Sequence, residues 1–213
     1  VEKKPNVKIL VCCHNQAETP NDEVYMPIHA GKAVSGLDLG ITGDNTGDNI
    51  SDKNPYYCEL TVMYWAWKNL KNVDYIGLCH YRRYFDFSGS TTKDMNVISP
   101  DRFKACRDKL KADITPLLNK HEIIVAKPKV YPYNLYTHYS VCHISDDFKI
   151  LEQTIRDMYP EYGKAFSKAI NCNNKLSHYN MFICRWDIFN DYCAWLFKIT
   201  EELEKRLPIF NYS

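Results

Sequence analysis

Apolar and polar positions along the chain fall into short blocks that switch between a strand-like and a helical period. Val7 to Cys13 is an apolar run ending at His14 and Asn15, which predicts a buried strand. Gln16 to Pro27 is polar with two prolines and reads as loop, and His29 to Leu37 as a short helix. Gly40 to Lys53 is glycine-rich and acidic, and reads as a loop unable to pack a core. Asn54-Pro55 then opens a helix with Leu60, Met63, Trp67 and Leu70 at helical spacing, widened by Tyr64 and closed by Asn72. Val73 to Cys79 predicts a second buried strand, followed at once by HYRRYF. Ser99-Pro100-Asp101 is a helix start with Phe103, Cys106 and Leu110 on its apolar side. A third strand covers Ile123 to Ala126, and an aromatic loop Tyr131 to Ser140. Ser145-Asp146-Asp147 caps a helix lined by Phe148, Leu151, Ile155 and Met158, which Pro160 interrupts. A helix over Glu161 to Ile170, a strand over Tyr179 to Cys184 and a last helix carrying Phe189, Cys193, Leu196, Ile199 and Leu203 complete the pattern.

Strands alternating with helices predict an α/β layer fold with a largely parallel sheet. Ligands of such sheets bind beyond the carboxyl ends of the strands. His14 and Asn15, His80 to Arg83, and Lys127 are therefore expected to converge.

Composition narrows the class. With 213 residues, one domain spanning 1–213 is expected. Hydrophobic residues at 45% are ample for a core, and a net charge of +1 argues against a nucleic-acid platform. The longest apolar runs are far shorter than the roughly 20 residues of a membrane span. The chain opens at Val1 without Met or a signal pattern, so its natural start is expected to lie upstream. Nine cysteines without a CxxC pair read as reduced, buried side chains of a cytoplasmic protein. Sixteen tyrosines and four tryptophans, beside His, Asn and Asp, suit a sugar site, where rings stack on sugar faces and polar tips bond hydroxyls.

Four constellations carry candidate chemistry, each with a plainer alternative. Arg82 and Arg83, with His80 and Tyr81, follow a buried strand and can hold a phosphate by paired hydrogen bonds; the alternative is a basic surface turn. Asp44, Asn45, Asp48 and Asn49 can grip sugar or ribose hydroxyls, or form a solvated turn without the glutamate an EF-hand needs. Glu59, near Tyr57 and Thr61 at a helix start, either belongs to an anion site or favours the helix dipole. Asp147 can act as a general base with His143 orienting substrate, or simply sit in a capped first turn. Asn180 enters an apolar strand and needs a partner, from backbone or ligand. GxSxG, P-loop, GxGxxG and HExxH motifs are absent. No Asp-x-Asp follows the second strand, so divalent Mn or Mg is left open as a cofactor and no metal ligand is assigned.

VCCHN, GDNTGDNIS, NPYYCELTVMYWAWKN, DYIGLCHYRRYF, HISDDFKIL and YNMFICRWDIFNDYCAWLF occur in this order. In this the chain resembles, over nearly its whole length, a bacterial family long catalogued as a domain of unknown function. Members of that family lie in capsular, exopolysaccharide and lipopolysaccharide synthesis loci. The resemblance implies a glycosyltransferase with a GT-A-like, Rossmann-like nucleotide-sugar fold, and some relatives are linked to UDP-galactofuranose. Matching positions are His14, Asp44, Asp48, Glu59, Trp65, Trp67, His80, Tyr81, Arg82, Arg83, His143, Asp147, Asn180 and Trp195. Members usually continue beyond the point where this chain stops, so a truncated C-terminus is expected.

The expected activity is inverting transfer of a sugar from a nucleotide-diphosphate donor to a glycan or lipid-linked glycan, at the cytoplasmic side with peripheral membrane association. Arg82, Arg83 and His80 would stabilise the leaving diphosphate, Asp147 would serve as base with Asp44 or Glu59 in reserve, and Tyr131 to Tyr139 would line the acceptor. A non-catalytic sugar or nucleotide binder, and a metal-dependent hydrolase, are the competing readings.

Overall fold

A computed structural model describes residues 4–85 and 115–207. The helix start expected at Ser99 lies outside the described residues. In chain order the elements are β1 (Val7–Cys13), β2 (Tyr25–His29), β3 (Thr42–Gly43), a 3-10 turn (Ser51–Lys53), α1 (Asn54–Tyr57), α2 (Leu60–Asn69), β4 (Tyr75–His80), α3 (Thr115–Leu118), β5 (Ile123–Val125) and β6 (Lys129–Val130). They continue with α4 (Leu135–Cys142), α5 (Ser145–Met158), a second 3-10 turn (Pro160–Tyr162), α6 (Gly163–Asn171), β7 (Lys175–Leu176), β8 (Phe182–Arg185) and α7 (Trp186–Arg206). The chain divides into two compact units, Val1–Lys127 with Tyr179–Cys193, and Pro128–His178 with Ala194–Ser213.

The first unit holds a six-stranded sheet in the order β3-β2-β1-β4-β8-β5. β3, β2, β1 and β4 pair in parallel, whereas β8 runs antiparallel to both β4 and β5. The mostly parallel α/β reading of the sequence is met. β1 and β4 are central and buried on both faces, as their nearly unbroken apolar sequences require. Val7, Ile9, Val11 and Cys13 share one face with Tyr25, Cys79, Tyr81 and Ile183. β5 alternates exposed and half-buried residues, as an edge strand does.

Several local expectations are corrected. Tyr25–His29 is a strand, not the end of a loop: Met26 and Ile28 fill the sheet, and Pro27 is tolerated on this short strand. The helix expected from His29 is a set of turns that begins at Gly31, whose φ is +64° and whose missing Cβ would lie 2.5 Å from the Asn54 side chain. The helix expected from Asn54 breaks at Cys58, with φ +47°, into α1 and α2. α2 consequently buries Thr61, Val62, Met63, Trp65 and Ala66 rather than the Leu60-Trp67-Leu70 stripe. Asn180 lies in the turn before β8, not inside a strand.

In the second unit the aromatic stretch is a helix, α4, because the Asn134 side chain caps it by accepting from the Thr137 N–H at 2.8 Å. Its Tyr136 and Tyr139 rings pack on Phe148 of α5 at 5.5 and 5.0 Å. Ser145 is the first residue of α5 and makes no side-chain cap; Asp146 and Asp147 occupy the first turn, where the helix dipole favours them. Among the described residues every cysteine is free, and no helix is long and apolar enough to cross a membrane.

One carboxylate ties the loops of the first unit together. Asp44 follows β3 and is 0% exposed, so the loop expected to stay outside the core contributes its charge to the interior. Its Oδ2 accepts from the Gly31 N–H at 2.8 Å and the Thr61 hydroxyl at 2.6 Å. Its Oδ1 accepts from the Lys32 N–H at 3.1 Å and from the Ser51 hydroxyl. The segment after β2, the 3-10 turn and the first turn of α2 are thus pinned to one group. Beside it His29, at 1% exposure, ends β2 with neither ring nitrogen hydrogen-bonded among the described residues. Burial, helped by the Lys32 ammonium, holds its imidazole below the ordinary value, against the opposing pull of Asp44 and Asp38.

Two outcomes follow from this pair. Asp44→Asn keeps the size but turns an acceptor into a donor facing donors. Hydrogen bonds to a charged group contribute about 1.5–3 kcal/mol each, so the substitution should cost about 3 kcal/mol or more, read as a lower urea midpoint at unchanged slope; a midpoint within error of the parent would refute the bracket. For His29, the unfolded chain takes up a proton near the usual imidazole value of about 6.5 while the folded chain resists it. Its share of stability is therefore intact above that pH and lost as pH falls from it towards the folded value. His29→Leu should flatten the loss of stability between about pH 7.5 and 5.5, and parallel curves for parent and variant would contradict the assignment.

Candidate active site

The parallel strands β1 to β4 bring their carboxyl ends to one edge of the sheet. β8 runs the other way, so the residues that precede it reach that same edge. His14, Asn15, His80, Tyr81, Arg82, Arg83, Tyr179 and Asn180 all belong to this edge.

The local fold of HYRR is a tight turn. The His80 N–H donates to the Arg83 carbonyl at 3.0 Å and the Arg83 N–H to the His80 carbonyl at 2.9 Å, which leaves Tyr81 and Arg82 at the tip. Tyr81 is buried and its ring meets His14 edge-on at 5.0 Å. Its hydroxyl lies 3.4 Å from His14 Nε2 and accepts from the Asn15 amide at 3.4 Å. The Arg82 guanidinium stands 4.8 Å over the same ring, and that of Arg83 4.1 Å over the Tyr179 ring. Both arginines are exposed, and among the described residues neither is paired with a carboxylate.

His80 has a different task from the one expected. It is 9% exposed and its Nε2 lies 2.7 Å from the Tyr179 carbonyl. A carbonyl only accepts, so Nε2 carries the hydrogen, and that donor is spent on the chain rather than free for a leaving group. The turn it holds is strained: Tyr179 and Asn180 have φ of +70° and +50°. Such outliers persist only where surrounding contacts over-determine them, and they cluster at functional sites. Here three contacts do so, through the Tyr179 carbonyl, the Tyr179 ring and the Asn180 side chain. The last donates to Glu59 Oε1 at 2.7 Å. Glu59 stands at the start of α2, half-buried, and acts with burial to push the Cys12 thiol well above its ordinary value. Cys13 next to it is pushed up to about 11 by burial, so neither thiol is a nucleophile.

The loop residues do not join this group. Asp44, expected to bind hydroxyls, is the internal bracket already described, with both oxygens occupied. Asp48 is tied to α2: its Oδ1 accepts from the Tyr64 hydroxyl at 3.2 Å and its carbonyl from the Asn69 amide at 2.7 Å. Asn49 bonds the Gly47 carbonyl and the Ser51 N–H within its own turn, and Asn45 is exposed. His143 and Asp147 belong to the second unit. His143 ends α4 with its ring 4.8 Å from Tyr139, and the Asp147 carboxylate acts on the Tyr139 hydroxyl, which burial and that charge hold above its ordinary value.

Tyr179 escaped the sequence reading. Nothing in YNMFIC marks a tyrosine as left-handed; only the reversed direction of β8 places it against His80. Among the described residues no three His, Cys, Asp or Glu side chains gather as a metal site would need.

Among solved structures the chain is similar to the apo structure of WbbM, a bifunctional glycosyltransferase. Identity is 34% and the TM-score 0.86, over 98% of this chain and 39% of that one. The chain thus spans well under half the length of WbbM. The likeness gives the sheet a counterpart in a glycosyltransferase, in accord with the GT-A-like fold that the sequence resemblance implied. No curated protein matches. The profile of the family described as Domain of unknown function (DUF4422) matches residues 8–213, and the chain belongs to that family.

Proposed function

We propose that the chain is a glycosyltransferase that moves a sugar from a nucleotide-diphosphate donor to a hydroxyl of a glycan or lipid-linked glycan acceptor. One observation carries the reading: two adjacent guanidinium groups, oriented by tyrosine rings and paired with no carboxylate among the described residues, stand at the carboxyl edge of the sheet. Charge develops on the diphosphate as the bond to the sugar breaks. Cations fixed beforehand at that place stabilise the transition state more than the ground state. Arginine suits the task because its planar fork meets two phosphate oxygens at once. His14 and Asn15 both contact the Tyr81 hydroxyl beside the arginines, and in this reading they bond the nucleotide.

The likeness to WbbM supports transferase chemistry. UDP as the nucleotide, galactofuranose as the sugar, an inverting outcome and a role in capsular, exopolysaccharide or lipopolysaccharide synthesis are the finer parts of the proposal, and rest on the resemblance of the sequence motifs.

The decisive measurement is turnover of a panel of UDP-sugars, UDP-galactofuranose included, with glycan acceptors. Arg82→Ala and Arg83→Ala should each lower kcat by about 10²–10³-fold, the size of effect seen when one transition-state donor is removed. Arg→Lys at either position should fall between, since charge is kept and the fork lost. Thermal midpoints should stay close to the parent, because both side chains are exposed. Parent-like turnover in both alanine variants would remove the role. Donor affinity without any product in the parent chain would make the protein a binder instead.

A further inference from the structure

The edge that holds the arginines also holds a carboxylate with a free oxygen. Glu59 Oε1 takes the Asn180 amide at 2.7 Å, and among the described residues its second oxygen takes no hydrogen bond. The carboxylate is joined to the arginine site by a single turn: Asn180 grips Glu59, while its neighbour Tyr179 carries the Arg83 guanidinium on its ring and the His80 hydrogen on its carbonyl. An amide that donates to one oxygen fixes the plane of the carboxylate and leaves the other free to accept a proton. Asp44 has no such oxygen.

We infer that Glu59 is the general base of the transfer and that Asn180 is its positioning residue; this rests on the reading of the site as a glycosyltransferase centre. In the step, the acceptor oxygen forms a bond to the donor's anomeric carbon. The bond from that carbon to the diphosphate oxygen breaks, and its electron pair leaves with the diphosphate, facing Arg82 and Arg83. The acceptor's hydroxyl proton passes to the free oxygen of Glu59. Two groups of opposite charge thus act on opposite ends of the same displacement. The Tyr179-Asn180 turn holds them in register, and its left-handed backbone is kept for that reason.

The test uses the whole chain, isothermal titration with UDP, and initial rates with the UDP-sugar that the parent turns over. Glu59→Gln has nearly the same shape and keeps an acceptor for Asn180, so it should bind UDP as the parent does. Its kcat should fall by about 10²–10⁴-fold, the usual contribution of a general base. Asn180→Gly accepts the left-handed backbone without strain and removes only the amide. It should lower kcat less than Glu59→Gln does, and should cost little more when added to Glu59→Gln, because the carboxylate it positions is then already gone. A merely structural Asn180 would lower kcat by the same factor in both backgrounds. Parent-like kcat in Glu59→Gln would overturn the assignment of the base while leaving the transferase reading intact. A parent chain that neither binds UDP nor turns over any donor would overturn both.

Discussion

The seat of α2 at the sheet edge depends on a buried carboxylate. Among the described residues Asp44 makes no ion pair, and its carboxylate is held by four neutral donors: two backbone N–H groups and two hydroxyls. A buried carboxylate is tolerable only when its lone pairs are filled in this way. The consequence is geometric. The Thr61 hydroxyl belongs to the first turn of α2, and the Gly31 and Lys32 N–H groups to the segment after β2, so α2 cannot move relative to the sheet without breaking a charge-assisted bond. Glu59 stands two residues before Thr61, and its position is inherited from Asp44.

The second constraint is the coupling of β4 to the turn before β8. His80 is the last residue of β4, and through Nε2 it fixes the carbonyl of Tyr179. Antiparallel pairing of β4 and β8 brings the two together; a parallel β8 would have carried Tyr179 to the opposite edge. The two left-handed residues cost about 1–3 kcal/mol each by the usual scale for such backbone. That cost is offset by the His80 and Glu59 hydrogen bonds and by the Arg83 stack. A histidine that reads in sequence like a phosphate ligand is thus the clamp of this turn.

The sequence revealed whatever is written in local pattern. β1 and β4 stand out because both faces are buried and no polar residue interrupts the run, and the residues after them were marked as the place of function by the behaviour of parallel sheets. What failed was set by tertiary contacts. The break at Cys58 is invisible in a helical stripe, because Leu60, Met63, Trp67 and Leu70 fit a helix whichever face is buried; Asp44 pulling on Thr61 decides the face. β2 was hidden by Pro27, and α4 by its density of tyrosines, although Asn134 was a legible cap. Asp44 and Asp48 looked like solvent-facing ligands, since acidic, glycine-rich loops usually are, and only the four donors around Asp44 make it an interior residue. Tyr179 could not have been found from one sequence, since its role exists only once β8 reverses direction.

The division of charge at the edge explains why the arginines remain available. Asp44 is satisfied inside, Asp48 is tied to Tyr64, and Glu59 is tied to Asn180, so the carboxylates of this region have neutral partners. Arg82 and Arg83 are likewise held by neutral surfaces, the faces of two tyrosines. A cation–π contact at an exposed site contributes about 0.5–1 kcal/mol, enough to orient a guanidinium and too little to compete with a phosphate. Had either arginine been paired with a carboxylate, an incoming diphosphate would first have to displace it and leave that carboxylate uncompensated. Holding cations with rings and anions with amides keeps both kinds of charge aimed but not cancelled, which is the arrangement that the proposed displacement, parting a proton from a diphosphate, would use.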